Sequence, residues 1–373
     1  MPEAPRTDGE QDARAHQRSR RGFADLGLLL EDEQKSALAT FIQDLFRGLV
    51  GILFYLIPSV THDVVIHGRE HVTWNSPTII LSNHKRDLDS LVLAGVVYFA
   101  RGLAHPNRRM IFALREDAFW PEFLAAYLQA FPRLRPMVRQ LRCAGPIRLL
   151  KAYPMGMLRA RSDYHRIEGQ LTVFARLLDR GRDLYWTPEG GLTLDGHLER
   201  FRAGLWRIIE RSRTPLELLP VGVIYDFMTT GRTRCFISIG APLAVDRARS
   251  RHEIEQAARR AILRQMTVNA GHLLAAALRD LPEGATLPRT AFEARLLAEG
   301  RRLHALGYTL DGRLTVPFLR SRRFRQLFGY ARKQHILASK DGSWRVAEGL
   351  ANHQVRYALN ELYDIEQASG GVG

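Results

Sequence analysis

Cysteine and long apolar runs are both scarce in this sequence. The 2 cysteines, Cys143 and Cys235, lie far apart and lack the spacing of metal ligands. Because disulfides belong to oxidising compartments, this usage predicts a reduced, cytosol-facing protein without a structural metal. The apolar segment 48–60 has 13 residues without a charge, whereas a bilayer-spanning helix needs roughly 20. The segment is therefore too short to cross a membrane alone.

Acidic residues are also few relative to basic ones. The chain has 54 Lys and Arg against 39 Asp and Glu in 373 residues, a formal net charge of +15. Such an excess favours acidic partners, which include nucleic acid, anionic lipid, phosphate-bearing substrates and an acidic carrier protein. Hydrophobic residues make up 46% of the chain and charged residues 25%, which is typical of a globular protein and excludes wholesale disorder.

The N-terminal part divides into a charged tail and an apolar helix. Residues 1–22 are rich in charge and have no apolar core, which predicts a disordered tail rather than a signal peptide. The segment 36–60 is predicted to be mainly helical, and Pro58 is expected to end its apolar helix. Its composition fits two environments, a membrane interface and the buried core of a soluble domain.

Strands and helices alternate between residues 63 and 243. The pattern predicts strands at 63–66, 78–81, 110–114, 183–187, 218–225 and 234–239. It predicts helices at 88–100, 116–129, 164–178 and 203–211. This alternation is typical of the α/β fold class, here a mixed, largely buried sheet covered by helices.

A histidine and a carboxylate flank the junction between the second predicted strand and the helix after it. His84 follows the turn residues Ser82-Asn83, and Asp89 lies five residues further on. A histidine can accept and release a proton near neutral pH. A carboxylate bound to one ring nitrogen directs the other toward a substrate, as in a catalytic triad whose serine is replaced by a substrate hydroxyl. In a chain with 13 histidines, the same pair also fits a solvated turn.

The predicted strand at 78–81 is followed by the motif Asn83-His84, four further residues and then Asp89. This motif resembles the first block of the glycerolipid acyltransferases, the family that acylates glycerol-3-phosphate and lysophosphatidate. Three further segments resemble later blocks of that family in the right order: residues 155–159 the second, 188–190 the third and 218–223 the fourth. The resemblance extends from Val64 to Leu243 and implies an acyltransferase domain at 61–245.

The resemblance also implies which residues bind the substrate. Arg159, at the end of the second block, is the expected phosphate ligand, with Arg161 as the alternative. One guanidinium group can bind two phosphate oxygens at once. Glu189 and Gly190 of the third block are expected to border the acceptor site. Lys85, next to the histidine, is expected to contact the substrate as well.

One position departs from the family pattern. Leu192 stands where the resembled enzymes have an arginine that helps to bind the acceptor phosphate. Either Arg159, Lys85 or Arg86 then binds the phosphate without that help, or the acceptor differs. The acceptor therefore stays open between glycerol-3-phosphate, lysophosphatidate, another lysophospholipid and a hydroxyl compound without phosphate.

The chemistry that the resemblance implies is direct acyl transfer. His84, oriented by Asp89, removes the proton of the acceptor hydroxyl, which attacks the thioester of an acyl-CoA or an acyl-carrier-protein. No cofactor is expected besides that co-substrate, and no acyl-enzyme is expected because no Ser or Cys occupies a nucleophile elbow near His84.

The expected setting is phospholipid biosynthesis at the cytoplasmic face of a membrane, where the protein is peripheral or monotopic and contacts anionic lipid. The competing hypothesis is a catalytically idle basic scaffold that binds membrane or nucleic acid. No nucleic-acid-binding motif is recognisable in the sequence, so no nucleic acid partner is expected.

Residues 251–368 predict a helical C-terminal region. The pattern indicates helices at 251–281, 290–306 and 348–365. Residues 314–340 contain seven Lys or Arg, no Asp or Glu, and interleaved aromatic residues. This composition suits an anionic membrane surface, and it suits a solvated basic face nearly as well.

Overall fold

The computed structural model describes residues 37–86, 89–102, 105–107, 109–115, 152–155 and 163–368. The α-helices are α1 (Ala37–Thr61), α2 (Asp89–Tyr98), α3 (Asp163–Asp179), α4 (Ala203–Arg211), α5 (Arg251–Arg264), α6 (Ala270–Leu278), α7 (Arg289–Ala305), α8 (Gly312–Thr315), α9 (Pro317–Lys333) and α10 (His353–Gln367). The strands are β1 (Asp63–His67), β2 (Thr78–Ser82), β3 (Met110–Arg115), β4 (Ala152–Met155), β5 (Asp183–Trp186), β6 (Glu217–Asp226), β7 (Arg234–Ile239), β8 (Leu243–Ala244), β9 (Thr286–Pro288), β10 (Leu337–Lys340) and β11 (Ser343–Val346).

The chain divides into two compact units. The smaller comprises Met1–Val50, Arg108–Tyr185 and Trp206–Thr214, and the larger comprises Gly51–Asn107, Trp186–Leu205 and Pro215–Gly373. His84, Asp89 and the turn after β5 all belong to the larger unit. The boundaries 61–245 and 251–368 that the sequence predicts for two regions stay predictions.

A mixed sheet forms the core of the larger unit. In it β6 pairs in parallel with β2 and antiparallel with β7 and β8, and β7 pairs in parallel with β1. Every residue of β2 is buried, as is every residue of β6 after the first. Strands that are buried on both faces have continuous apolar sequences. This is why the sequence predicts both strands to within one residue at each end, and the predicted α/β class with a mixed sheet is confirmed.

Among the described residues, the smaller unit contains three parallel strands, helix α3 and parts of α1 and α4. β3 pairs with β4 on one side and with β5 on the other. Arg207 and Arg211 of α4 form ion pairs with Glu168 of α3. The predicted helix at 116–129 lies outside the described residues.

Helix α1 covers most of the helix predicted at 36–60, but the predicted end at Pro58 is wrong, because α1 continues to Thr61. Its one described basic side chain, Arg47, is buried and donates to the carbonyl oxygen of Met110 at 2.5 Å. Seven large apolar side chains of α1 are exposed at helical spacing: Leu38, Phe41, Ile42, Leu45, Leu49, Ile52 and Leu56. Across the described part of the chain, none of the helices combines the length and the apolarity required to span a bilayer.

The prediction of one continuous helix at 251–281 is wrong, because the chain forms α5 and α6 with a break between them. The Asn269 side chain accepts hydrogen bonds from the N–H groups of Gly271 and His272 and so begins a new helix. Val268 pairs with Leu310 as an isolated β-bridge. An Asn that binds the backbone locally favours a helix start over a helix interior, which explains the break.

The C-terminal region is largely helical, as the sequence predicts, but it also contains a small sheet that the sequence does not predict. β9, β11 and β10 form a small antiparallel sheet, with β11 in the middle. These strands are only three or four residues long, and β9 and β10 are mostly exposed. They are too short to show the apolar alternation that reveals a longer strand. The remaining prediction holds: α7 and α10 occupy most of the ranges 290–306 and 348–365.

Candidate active site

The side chain of Asn83 fixes the start of the turn between β2 and α2. Its amide group donates to the Val223 carbonyl oxygen at 2.8 Å, and its carbonyl oxygen accepts from the Val223 N–H at 2.7 Å. The backbone pairing of β2 with β6 ends one residue earlier, at Ser82. The Asn83 amide therefore extends this pairing and determines where His84 leaves the sheet.

His84 and Asp89 lie next to each other across the turn. His84 Nδ1 is 3.5 Å from Asp89 Oδ2, and the side chain of His84 is 15% exposed whereas that of Asp89 is fully buried. Oδ2 also accepts hydrogen bonds from the backbone N–H groups of Lys85 at 2.5 Å and Arg86 at 2.7 Å. Contacts between catalytic groups are often long without substrate and shorten when it binds. The geometry thus directs Nδ1 toward the carboxylate and leaves Nε2 for proton transfer.

The second oxygen of Asp89 is held by Tyr225. The Tyr225 hydroxyl donates to Asp89 Oδ1. Burial, and then the negative charge of Asp89, raises the pKa of the Tyr225 hydroxyl and of the Cys235 thiol. Both groups therefore stay protonated near neutral pH, and Tyr225 remains a donor to Asp89.

The loop after β5 binds the backbone of His84 on both sides. The His84 N–H donates to Glu189 Oε2 at 3.0 Å, and the His84 carbonyl oxygen accepts from the Thr193 N–H at 2.8 Å. The Glu199 N–H donates to the other carboxylate oxygen, Glu189 Oε1, at 3.1 Å. Glu189 therefore connects the histidine to two points of this loop.

Glu189 is a buried carboxylate with an altered proton affinity. Glu189 is only 3% exposed. Burial raises the pKa of its carboxyl group to about 7, although the His84 N–H, the charge of Lys85 and the Glu199 N–H each act to lower it. These contacts give Glu189 a role in positioning His84. The predicted contact between Glu189 and the acceptor stays a prediction.

Gly190 and Arg202 form the outer side of the same turn. Gly190 has a φ of +69°, the left-handed region that favours glycine. The Arg202 Nε donates to the Glu189 carbonyl oxygen at 3.1 Å, and Arg202 is exposed. An arginine thus lies at the turn that precedes Leu192, although it comes from a later position in the chain. The predicted role of Gly190 in binding the acceptor stays a prediction.

Lys85 extends into the C-terminal helices. Its Nζ donates to the Gly196 carbonyl oxygen at 2.8 Å and lies 3.2 Å from Glu361 Oε1. Glu361 Oε2 is in turn 3.0 Å from His272 Nε2, and no side chain of the three is more than 2% exposed. The Lys85 ammonium therefore belongs to a buried ion pair with α10. Its predicted contact with substrate stays a prediction, which these contacts do not support.

Helix α10 also contacts the loop that carries Glu189. Gly196 has a φ of +98°, and a Cβ atom there would lie 2.2 Å from the Tyr357 carbonyl oxygen. Asp364 accepts from the Leu198 N–H at 2.6 Å and lies 3.1 Å from His197 Nδ1. The C-terminal helix is therefore part of the structure that supports the site.

Some site residues escaped prediction, and others cannot be placed. Tyr225, Thr193 and Glu361 were not predicted, because their roles depend on contacts between segments that are distant in sequence. Tyr225 does end a strand predicted at 218–225, but the sequence pattern carries no sign of its partner. Arg159 and Arg161, the predicted phosphate ligands, lie outside the described residues.

Comparisons with known proteins indicate the protein family of this chain. Residues 63–224 match the family model described as Acyltransferase. A similar solved structure is that of the 1-acyl-sn-glycerophosphate (LPA) acyltransferase PlsC from Thermotoga maritima, with 16% sequence identity, 67% of this chain and 94% of that chain covered, and a TM-score of 0.43. The chain has no match among curated proteins.

The family match spans both His84 and Asp89 as well as the turn that carries Glu189. The chain therefore contains a domain of the acyltransferase family, which confirms the resemblance seen in its motifs. The protein is an acyltransferase.

Proposed function

We propose that this enzyme transfers a fatty acyl group from a thioester donor, acyl-CoA or acyl-carrier-protein, to a hydroxyl of glycerol-3-phosphate or 1-acyl-glycerol-3-phosphate. The reaction belongs to phospholipid biosynthesis. The observation that carries the proposal is the pair of His84 and Asp89, whose carboxylate accepts from two backbone N–H groups and from the Tyr225 hydroxyl.

The proposed reaction begins with proton transfer to His84. His84 Nε2 takes the proton of the acceptor hydroxyl while Asp89 stabilises the resulting imidazolium. The acceptor oxygen attacks the thioester carbonyl carbon, and the tetrahedral intermediate collapses by breaking the carbon–sulfur bond. The departing thiolate receives the proton from His84, so that the products are an ester and a free thiol.

A covalent acyl-enzyme is not part of this reaction. Cys235 is the described cysteine close to Asp89, and it is 1% exposed with a thiol pKa raised by burial. A thiol without thiolate character is a poor nucleophile. The acceptor hydroxyl itself is therefore the attacking group.

Membrane contact through α1 completes the proposal. The exposed apolar side chains of α1 would lie in the interface of the cytoplasmic leaflet, with the protein bound peripherally.

The test is release of free thiol from palmitoyl-CoA by purified protein in detergent. Acceptors are glycerol-3-phosphate, 1-acyl-glycerol-3-phosphate and the phosphate-free monoacylglycerol, each with wild type, His84→Ala and Asp89→Asn. We expect acceptor-dependent release that falls by about 10² to 10⁴-fold in His84→Ala. Release that survives in this variant would contradict the proposed base. Acyl-carrier-protein donor replaces palmitoyl-CoA in a parallel series.

The acceptor series separates the proposal from its alternative. Leu192 favours a phosphate-free acceptor, because leucine cannot bind phosphate. If only monoacylglycerol supports thiol release, the acyl transfer stands and the phosphorylated acceptor is wrong.

A further inference from the structure

Basic side chains surround the ring of Tyr225, the residue that holds Asp89. The Cζ atom of Arg86 lies 4.7 Å from the centroid of the Tyr225 ring. The His62 ring meets the same ring edge-on, with 5.7 Å between centroids. Arg232 donates from Nη2 to the His62 carbonyl oxygen at 2.9 Å. One guanidinium and an imidazole therefore lie against the Tyr225 ring, and a second guanidinium binds the backbone of that histidine.

The arginines of this cluster, Arg86 and Arg232, are exposed. Neither guanidinium forms an ion pair with a carboxylate of the described residues. Burial first, and then the charges of Arg86 and Arg232, lower the pKa of His62, against the opposing charge of Asp89. Two guanidinium groups without such ion pairs create a positive potential that attracts an anion.

The cluster reaches the reacting centre through Arg86. The Arg86 backbone N–H donates to Asp89 Oδ2 at 2.7 Å, and its charge also affects the pKa of Cys235 and Tyr357. An anion bound here would therefore lie close to His84. A molecule that carries both a phosphate and a hydroxyl suits a site in which Arg86 adjoins the carboxylate that orients His84.

Both arginines are held in place before any ligand binds. Arg86 packs over the Tyr225 ring, and Arg232 binds the carbonyl oxygens of Ser59 and His62. Guanidinium groups that are already oriented lose less side-chain freedom when they bind an anion.

We propose that Arg86 and Arg232, with His62 beside them, form the binding site for the phosphate of the acyl acceptor. The inference rests on the proposed function and supplies the phosphate ligand that Leu192 removes. It selects a phosphomonoester acceptor, with the phosphate on the Tyr225 side of Asp89 and the hydroxyl at His84.

The test compares Arg86→Gln, Arg232→Gln and the double variant with wild type. We expect each single change to raise the KM for glycerol-3-phosphate or 1-acyl-glycerol-3-phosphate about tenfold, and the double change to raise it further. The KM for palmitoyl-CoA and the rate with monoacylglycerol should stay within twofold. Arg301→Gln is the matched control, because it removes an exposed arginine of α7 that is not part of the cluster.

Two further arms identify the source of the phosphate and its location. A raised KM for palmitoyl-CoA that disappears with palmitoyl-dephospho-CoA would assign the site to the donor and overturn the inference. Arg202→Gln tests the other exposed arginine near the site. If Arg202→Gln raises the KM for the phosphorylated acceptor and the double variant does not, the phosphate lies at the Gly190 turn and the inference is wrong.

A binding measurement keeps this inference separate from the proposed function. We expect inorganic phosphate to raise the thermal midpoint of wild type and Arg301→Gln but not of the double variant. If wild type acylates only monoacylglycerol, the proposed acceptor class fails. If it acylates a phosphorylated acceptor with the same KM in the double variant, the acceptor class stands and this site is wrong.

Discussion

Tyr225 donates its hydroxyl hydrogen to Asp89 Oδ1 across 136 positions of sequence. Together with two backbone N–H groups on Oδ2, this bond gives the carboxylate one orientation relative to His84. The hydroxyl does not contact a substrate in the proposed reaction. Tyr225 is therefore a positioning residue, and its removal should affect the proton transfer more than substrate binding.

Replacing Tyr225 with phenylalanine should lower kcat about tenfold, the effect expected for loss of a hydrogen bond to a charged group. The KM for the acceptor should change little, because the ring that Arg86 packs against remains. Steady-state kinetics with saturating and limiting acceptor separate the two parameters.

The control for this change is Tyr308→Phe, which removes an equally buried hydroxyl that donates to the Ile365 carbonyl oxygen at 2.7 Å. It should leave kcat unchanged. Adding Tyr225→Phe to Asp89→Asn should cost no further activity, since residues that act as one unit are not additive. Additive losses would contradict a role that acts through Asp89.

The raised pKa of Glu189 predicts how stability depends on pH. The folded protein holds this proton up to a pKa of about 7, whereas the unfolded chain loses it near 4.5. The folded state thus binds more protons between these values, so stability falls as pH rises from 4.5 to 7 and is constant above that. The free energy of unfolding should fall by about 3 kcal/mol over this window relative to Glu189→Gln.

Urea unfolding of both proteins at pH 5, 6, 7 and 8 measures this difference. Every other titrating group cancels, because Glu189→Gln changes only one ionisable side chain. A difference that stays flat between pH 5 and 7, or that rises, would contradict the raised pKa.

The buried ion pair of Lys85 and Glu361 should be needed for folding. Glu361→Gln leaves the Lys85 ammonium buried without its carboxylate and should cost about 3 to 5 kcal/mol of unfolding free energy. Replacing both partners, as Lys85→Met with Glu361→Leu, should recover part of this loss, because no uncompensated charge remains.

Glu366→Gln is the matched control on the same helix. Glu366 pairs with Arg279 and Arg302 at a side-chain exposure of 20%, so its loss should cost no more than about 1 kcal/mol. Equal costs for Glu361→Gln and Glu366→Gln would show that burial of the first pair has no energetic consequence.

The exposed apolar face of α1 predicts binding to lipid. Phe41 and Leu45 are 65% and 55% exposed, and replacing both with glutamate should abolish sedimentation with phosphatidylcholine–phosphatidylglycerol vesicles, since buried apolar area drives interfacial binding. Leu306→Glu changes an equally exposed leucine elsewhere and should sediment like wild type. Unchanged sedimentation of the α1 variant would assign the apolar face another role.

The sequence alone determined the elements of the core and the pairing of His84 with Asp89. The strands β2 and β6 are continuous apolar runs, and a strand buried on both faces needs such a sequence whatever lies beside it. His84 and Asp89 were predicted because they lie five residues apart, within a single turn. The apolar α1 helix was predicted from its own uncharged apolar run, which is also a local feature.

Tertiary structure alone decided what holds that pair. Asn83 binds Val223, Tyr225 binds Asp89, and Lys85 binds Glu361, and each contact joins segments more than a hundred residues apart. No local pattern encodes such contacts, because they depend on which strands and helices become neighbours when the chain folds. The same holds for the cluster of Arg86 and Arg232. Their charges are ordinary in sequence and gain significance only because folding brings Arg86 to the Tyr225 ring and Arg232 to the backbone of His62, whose ring meets the same tyrosine.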